Sequence, residues 1–102
     1  MILVAKAYVI SHQTLTDANR FMTDYVSKVE ETLEPFGGRF LVRGGAISYR
    51  EGEVLGDSSA VVEFPDRAAA LAWQASKQYQ AILPARMESS TGTFVIIEGV
   101  PE

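Results

Sequence analysis

The order in which two hydrophobic periods follow one another constrains this chain most. Leu3 to His12 alternates with period two, which sets Lys6, Tyr8, Ile10 and His12 on one face and Leu3, Ala5, Ala7 and Val9 on the other. Ala18, Phe21, Met22, Tyr25, Val26, Val29 and Leu33 then recur at three- and four-residue steps, the stripe of an amphipathic helix. Thr16 or Asp17 stands where an N-cap is needed, and Glu34-Pro35 followed by Gly37-Gly38 stops the helix.

Period two returns in Gly38 to Gly44, with Arg39, Leu41 and Arg43 on one face and Phe40 and Val42 on the other. Gly44-Gly45 predicts a bulge, with Ala46 to Arg50 continuing the strand and Glu51 to Ser58 forming a hairpin connection. In the third strand, Ser59 to Phe64, Val61 and Glu63 oppose Ala60, Val62 and Phe64. Pro65 ends it and Asp66 caps an alanine-rich helix from Arg67 to Ser76. Gln78 to Leu83 adds a helical turn, Pro84 starts a short segment through Arg86 and Met87, and Thr93 to Glu98 is the last strand. The order β-α-β-β-α-β predicts an α+β, ferredoxin-like domain spanning residues 1–102, a four-stranded antiparallel sheet in the order 4-1-3-2 with its helices on one face.

Composition then removes whole classes of chemistry. The chain has no Cys and one His, which excludes thiol nucleophiles, zinc ribbons, iron–sulfur sites and multi-histidine metal centres, and no metal or cofactor is expected. A net charge of −4 opposes nucleic-acid and anionic-membrane binding. RNA-recognition modules share this element order, but their base-stacking aromatics on the central strands reduce here to Tyr8 beside Glu63. The apolar start lacks a basic leader segment, is interrupted by Lys6 and is shorter than the about 20 residues of a membrane span, so a cytoplasmic protein is expected.

The sheet face away from the helices carries Lys6, Tyr8, Ile10 and His12, Arg39, Leu41 and Arg43, Val61 and Glu63, and Val95 and Ile97. Such an apolar patch marks an interface, and a small chain without disulfides has most to gain from a partner, so a homodimer packed sheet to sheet is expected, with Glu63 pairing Arg39, Arg43 or Lys6. Two readings of the arginines stand: ion pairs inside the dimer, or two cations on one face that hold an anionic ligand.

The other candidates also carry two readings. His12 is either a proton shuttle or a turn residue, and nothing around it resembles a porphyrin pocket. Trp73 and Tyr79 either fill the core or wall a helix–sheet cleft for a small ligand, with Arg86 or Tyr25 at its rim. Glu30, Glu31 and Glu34 read as a solvated face, and neither glycine pair precedes a helix as a phosphate loop requires.

Phe36-Gly-Gly-Arg-Phe-Leu-Val-Arg-Gly-Gly45 resembles the signature of the domain-of-unknown-function family DUF1330. Lys6-Ala-Tyr-Val-Ile10, Val62-Glu-Phe-Pro65, Trp73, Tyr79-Gln80, Leu83-Pro-Ala-Arg86 and Val95-Ile-Ile-Glu-Gly99 resemble it in order, over residues 5–99. The Gly-rich, acidic Glu51 to Ser59 connection departs from it, lacking the aromatic or extra basic residues of many members. The resemblance implies a dimeric α+β barrel, an architecture shared by cofactor-independent monooxygenases, muconolactone-type isomerases and heme-dependent chlorite-decomposing enzymes. The resulting expectation is a homodimer that binds a small anionic or aromatic molecule through Arg39, Arg43, Tyr8, Glu63, Trp73, Tyr79 and Arg86. Any catalysis would be cofactor-independent, with His12 moving a proton; the alternative is a non-catalytic structural or interaction dimer.

Overall fold

The computed structural model describes residues 4–53 and 56–102. Strand β1 (Ala7–Leu15) runs on past His12, and the expected start at Leu3 lies outside the described residues. Helix α1 is capped by the Asp17 side chain, which accepts from Arg20 N at 3.1 Å. It proceeds through Ala18–Arg20, a π-helical stretch Phe21–Val26 and Ser27–Leu33. In the wide turn Ser27 N–H donates to Met22 O, five residues back, where the apolar stripe alone predicts an ordinary α-helix. A 3-10 turn, Glu34–Phe36, follows, and Gly37 at φ 73° takes the left-handed conformation that ends it.

Strand β2 (Arg39–Arg43) leads into an exposed, irregular arm, where a continuation over Ala46 to Arg50 was expected. Among the described residues no strand pairs with that segment, so it has no ladder. Strand β3 (Ser58–Phe64) is followed by α2 (Arg67–Gln74), capped by Asp66, which accepts from Ala69 N at 2.8 Å. Ser76 caps α3 (Lys77–Ser89), a continuous helix with Pro84 inside it rather than two short segments. Strand β4 (Ser90–Glu98) begins three residues earlier than the Val/Ile content indicates.

The sheet is antiparallel throughout in the order β2-β3-β1-β4, as expected for a ferredoxin-like fold. Val9, Val62 and Phe64 from the sheet pack with Phe21, Tyr25, Val29 and Leu33 of α1, Trp73 of α2 and Tyr79 of α3, so the core lies on one face only. Among the described residues no helix is long and apolar enough to cross a membrane.

One register shift corrects the sequence reading. The bulge falls between Phe40 and Val42, not at Gly44-Gly45, so Leu41 is the extra residue. Beyond it Val42 pairs with outward-facing Val61, and Arg43 pairs with helix-facing Ala60. A bulge of one residue inverts every later side chain, because the strand period is two. Arg39 and Arg43 therefore do not share a face.

Candidate functional site

The inversion divides the candidate residues between the two sides of the sheet. Tyr8, His12, Arg39 and Glu63 lie on the open side, whereas Arg43, Trp73, Tyr79 and Arg86 lie on the side covered by helices.

On the open side the charges converge on Glu63, whose side chain is only 13% exposed. Arg39 Nε donates to Glu63 Oε1 at 3.0 Å, the Tyr8 hydroxyl donates to Oε2 at 3.2 Å, and Lys6 Nζ stands 4.0 Å from Oε1. Register explains the cluster, since Glu63 is directly opposite both Tyr8 and Arg39 on neighbouring strands. Desolvation alone would raise the Glu63 carboxyl, but the Arg39 bond, the Lys6 charge and the Tyr8 bond outweigh it and hold it below its ordinary value. Burial and the Glu63 carboxylate in turn raise the Tyr8 phenol. Further along the same face His12 Nδ1 and Ser59 Oγ are 3.0 Å apart. Val95 and Ile97, 48% and 52% exposed, complete the face with Ile10, Val61 and Val42.

Between the sheet and the helices lies a cavity of about 490 Å³, within the usual range for small-molecule sites. Its walls are largely apolar and aromatic, with Phe21, Tyr25, Phe40, Trp73 and Phe94 among them. The π-helical turn faces it, and Phe21, Met22, Tyr25 and Val26 of that turn all line it. The Tyr25 and Tyr79 hydroxyls are 2.9 Å apart and buried. Burial, reinforced by Tyr79, pushes the Tyr25 phenol well above its usual range, so its proton is retained at neutral pH. Trp73 is anchored by its indole N–H, which donates to Thr32 Oγ1 at 2.9 Å, and its ring centroid is 4.0 Å from that of Tyr79.

Polar groups enter this apolar space at a few points. Arg43 lies over the Phe40 ring at 4.8 Å and donates from Nη1 to Glu30 Oε2 at 3.1 Å. Arg86 lies over the Phe94 ring at 4.4 Å, and its Nε is buried with no hydrogen-bond partner among the described residues. Gln13 Nε2 donates to Ser11 Oγ at 3.1 Å and to Thr93 O at 3.0 Å. Asp57 sits where the arm returns to the sheet, its N–H donating to Gln13 O at 2.8 Å and its carboxylate accepting from Leu15 N at 3.1 Å. Gly56 makes that return possible: at φ 123° a Cβ there would run into the Gln13 backbone.

Gln13 was missed by reading β1 as ending at His12, and Ser11, inside that range, by ending the inner face at Val9. Continuing the alternation Ala7, Val9, Ser11, Gln13 would have placed two polar side chains under the helices. Phe94 lies inside the expected Thr93 to Glu98 strand, and its alternation with outward-facing Val95 and Ile97 places it under the helices.

The family profile described as Domain of unknown function (DUF1330) matches residues 6–100. No curated protein matches the chain. Among solved structures it is similar to a protein of unknown function from Rhodopseudomonas palustris, with TM-score 0.74 and 14% identity over 94% of this chain and 83% of that one. It is also similar to SnoaB, a cofactor-independent oxygenase from Streptomyces nogalater, with TM-score 0.64 and 11% identity over 95% of each chain. A conserved protein from Methanosarcina mazei is similar at TM-score 0.59 and 17% identity, over 97% of this chain and 95% of that one. At such identities the likeness is one of fold.

Proposed function

This chain belongs to the DUF1330 family, and we propose that it acts as a homodimer that binds a small organic molecule in the cavity between its sheet and helices. The observation that carries the ligand reading is the cavity itself, an aromatic-walled space of about 490 Å³ reached by a few placed polar groups. Cores pack without voids of that size, because each empty volume costs stability. SnoaB, whose protomer has the same fold, is a cofactor-independent oxygenase, and an aromatic-walled pocket suits substrate chemistry of that general kind.

The homodimer is supported by surface arithmetic. The chain exposes 6639 Å². A compact monomer of its mass exposes about 5,700 Å². The excess is close to the about 800 Å² that each partner contributes to a standard interface. The radius of gyration, 14.1 Å, likewise exceeds the about 12.8 Å of a compact chain of this length. On the open sheet face Val95 and Ile97 are 48% and 52% exposed, and on the arm Tyr49 is 78% exposed.

Ala60→Phe tests the ligand reading, since residue 60 lines the cavity and a phenyl ring there would obstruct part of it. Calorimetric titration with 2-naphthoate should show binding to the native protein and weakened binding to this variant, with the fold retained by circular dichroism. Undiminished binding by the variant would place the ligand elsewhere.

A further inference from the structure

We propose, taking the cavity as the ligand site, that Arg86 receives the ligand's single anionic group beside the Tyr25–Tyr79 hydroxyl pair, so that the cavity selects aromatic carboxylates over neutral aromatics and inorganic dianions. The charge balance of the lining leads to this class. Three of the lining side chains are charged: Arg43, Asp57 and Arg86. Arg43 is matched by Glu30, and the Asp57 carboxylate holds the Leu15 amide. Arg86 forms no ion pair with a described residue, and its Nε is buried without a partner. A guanidinium in an apolar setting is costly until an anion meets it, and its forked donors match a carboxylate. One unmatched cation selects one negative charge. A dianion would leave a charge uncompensated in a lining that already carries the Asp57 carboxylate.

The hydroxyl pair adds a donor. Of its two protons, one closes the Tyr25–Tyr79 bond at 2.9 Å. When Tyr79 donates to Tyr25, the Tyr25 proton is left to reach an acceptor in the cavity, which Tyr25 lines. The aromatic part of the class follows from the walls, where Phe21, Phe40, Trp73 and Phe94 offer rings for offset or edge-on packing against a planar ligand.

Calorimetry with 2-naphthoate, its neutral analogue 2-naphthalenemethanol and inorganic phosphate tests the assignment. The native protein should bind 2-naphthoate at least about tenfold more tightly than the alcohol, as loss of a charge-assisted bond implies. Phosphate should not displace the naphthoate. Arg86→Gln should equalise the two naphthalenes, whereas Lys28→Gln, which removes an exposed cation from α1, should keep the preference. If Arg86→Gln fails to fold, Arg86→Lys retains the charge without the fork and should narrow the preference. Equal binding of carboxylate and alcohol by the native protein would overturn the Arg86 assignment while leaving the cavity as the site. An undiminished preference in both Arg86 variants, or displacement by phosphate, would overturn it as well. Binding of neither naphthalene would overturn both readings.

Discussion

Arg43 Nη1 donates to Glu30 Oε2 at 3.1 Å on the helix side of the sheet, while Arg39, four residues earlier on the same strand, is held by Glu63 on the opposite side. The two guanidiniums consequently serve different surfaces. Arg43→Gln, whose charge Glu30 already meets, should weaken 2-naphthoate binding only modestly, keep the preference over the alcohol and leave the oligomeric state untouched; Arg39→Gln should loosen the proposed dimer and leave binding by the dissociated chain untouched. The Arg43–Glu30 pair is 46% and 68% exposed, so its removal should cost at most about 1 kcal/mol. Light scattering and calorimetry on the two variants check both arms, and a shared phenotype would contradict the division.

The bulge itself is testable by deletion. Leu41 is the residue without a partner on β3, and removing it leaves Val42 opposite Val61 and Arg43 opposite Ala60. The variant lacking Leu41 should fold and bind 2-naphthoate with unchanged affinity. Loss of binding would mean that the bulge positions Arg43 in a way that register alone does not.

Thr32→Val isolates the Trp73 anchor. Thr32 Oγ1 accepts from the indole at 2.9 Å in the buried core, so valine leaves an N–H without a partner. The expected cost is about 1–3 kcal/mol. Each kcal/mol lowers Tm by about 4–8 °C in a domain of this size. Thermal unfolding by circular dichroism measures it.

Acid should weaken the protein through Glu63. Its folded-state pKa is lowered, so the stabilisation it contributes is present above the ordinary carboxylate value and is lost as pH falls through the lower folded value. Denaturant unfolding between pH 7 and pH 3 should show that loss in the native protein. Glu63→Gln, without a titrating carboxyl, should show a shallower acid limb. Parallel limbs would mean that Glu63 does not report on the cluster.

Much of this was legible in the chain. Period two in β1 and β3 assigned Tyr8, Ile10 and Glu63 to the open face and Val9, Val62 and Phe64 to the core, because burial of one face specifies register strongly. Asp17, Asp66 and Gly37 mark their helix ends by local chemistry that needs no tertiary partner. Arg43 could not be placed in this way. A bulge among Phe40, Leu41 and Val42 leaves no residue signature, since all three side chains suit a strand on either face. A helix–sheet cleft with Trp73 in its wall and Arg86 or Tyr25 at its rim was among the readings of the chain, but the entry of Arg43 and of the π-helical turn into it was not, because both depend on backbone irregularities that side-chain periodicity does not signal.

The four tyrosines sample every surface the account distinguishes: Tyr8 on the open face, Tyr49 on the arm, Tyr25 lining the cavity, and Tyr79 buried behind it with its hydroxyl 2.9 Å from that of Tyr25. Fluorine NMR of protein carrying 3-fluorotyrosine, assigned through single Tyr→Phe variants, therefore locates a ligand directly. On adding 2-naphthoate to the protein, the Tyr25 and Tyr79 resonances should move while those of Tyr8 and Tyr49 stay in place. Movement of Tyr8 with Tyr25 and Tyr79 unchanged would contradict the account, because the ligand would then occupy the open sheet face and the cavity would not be its site.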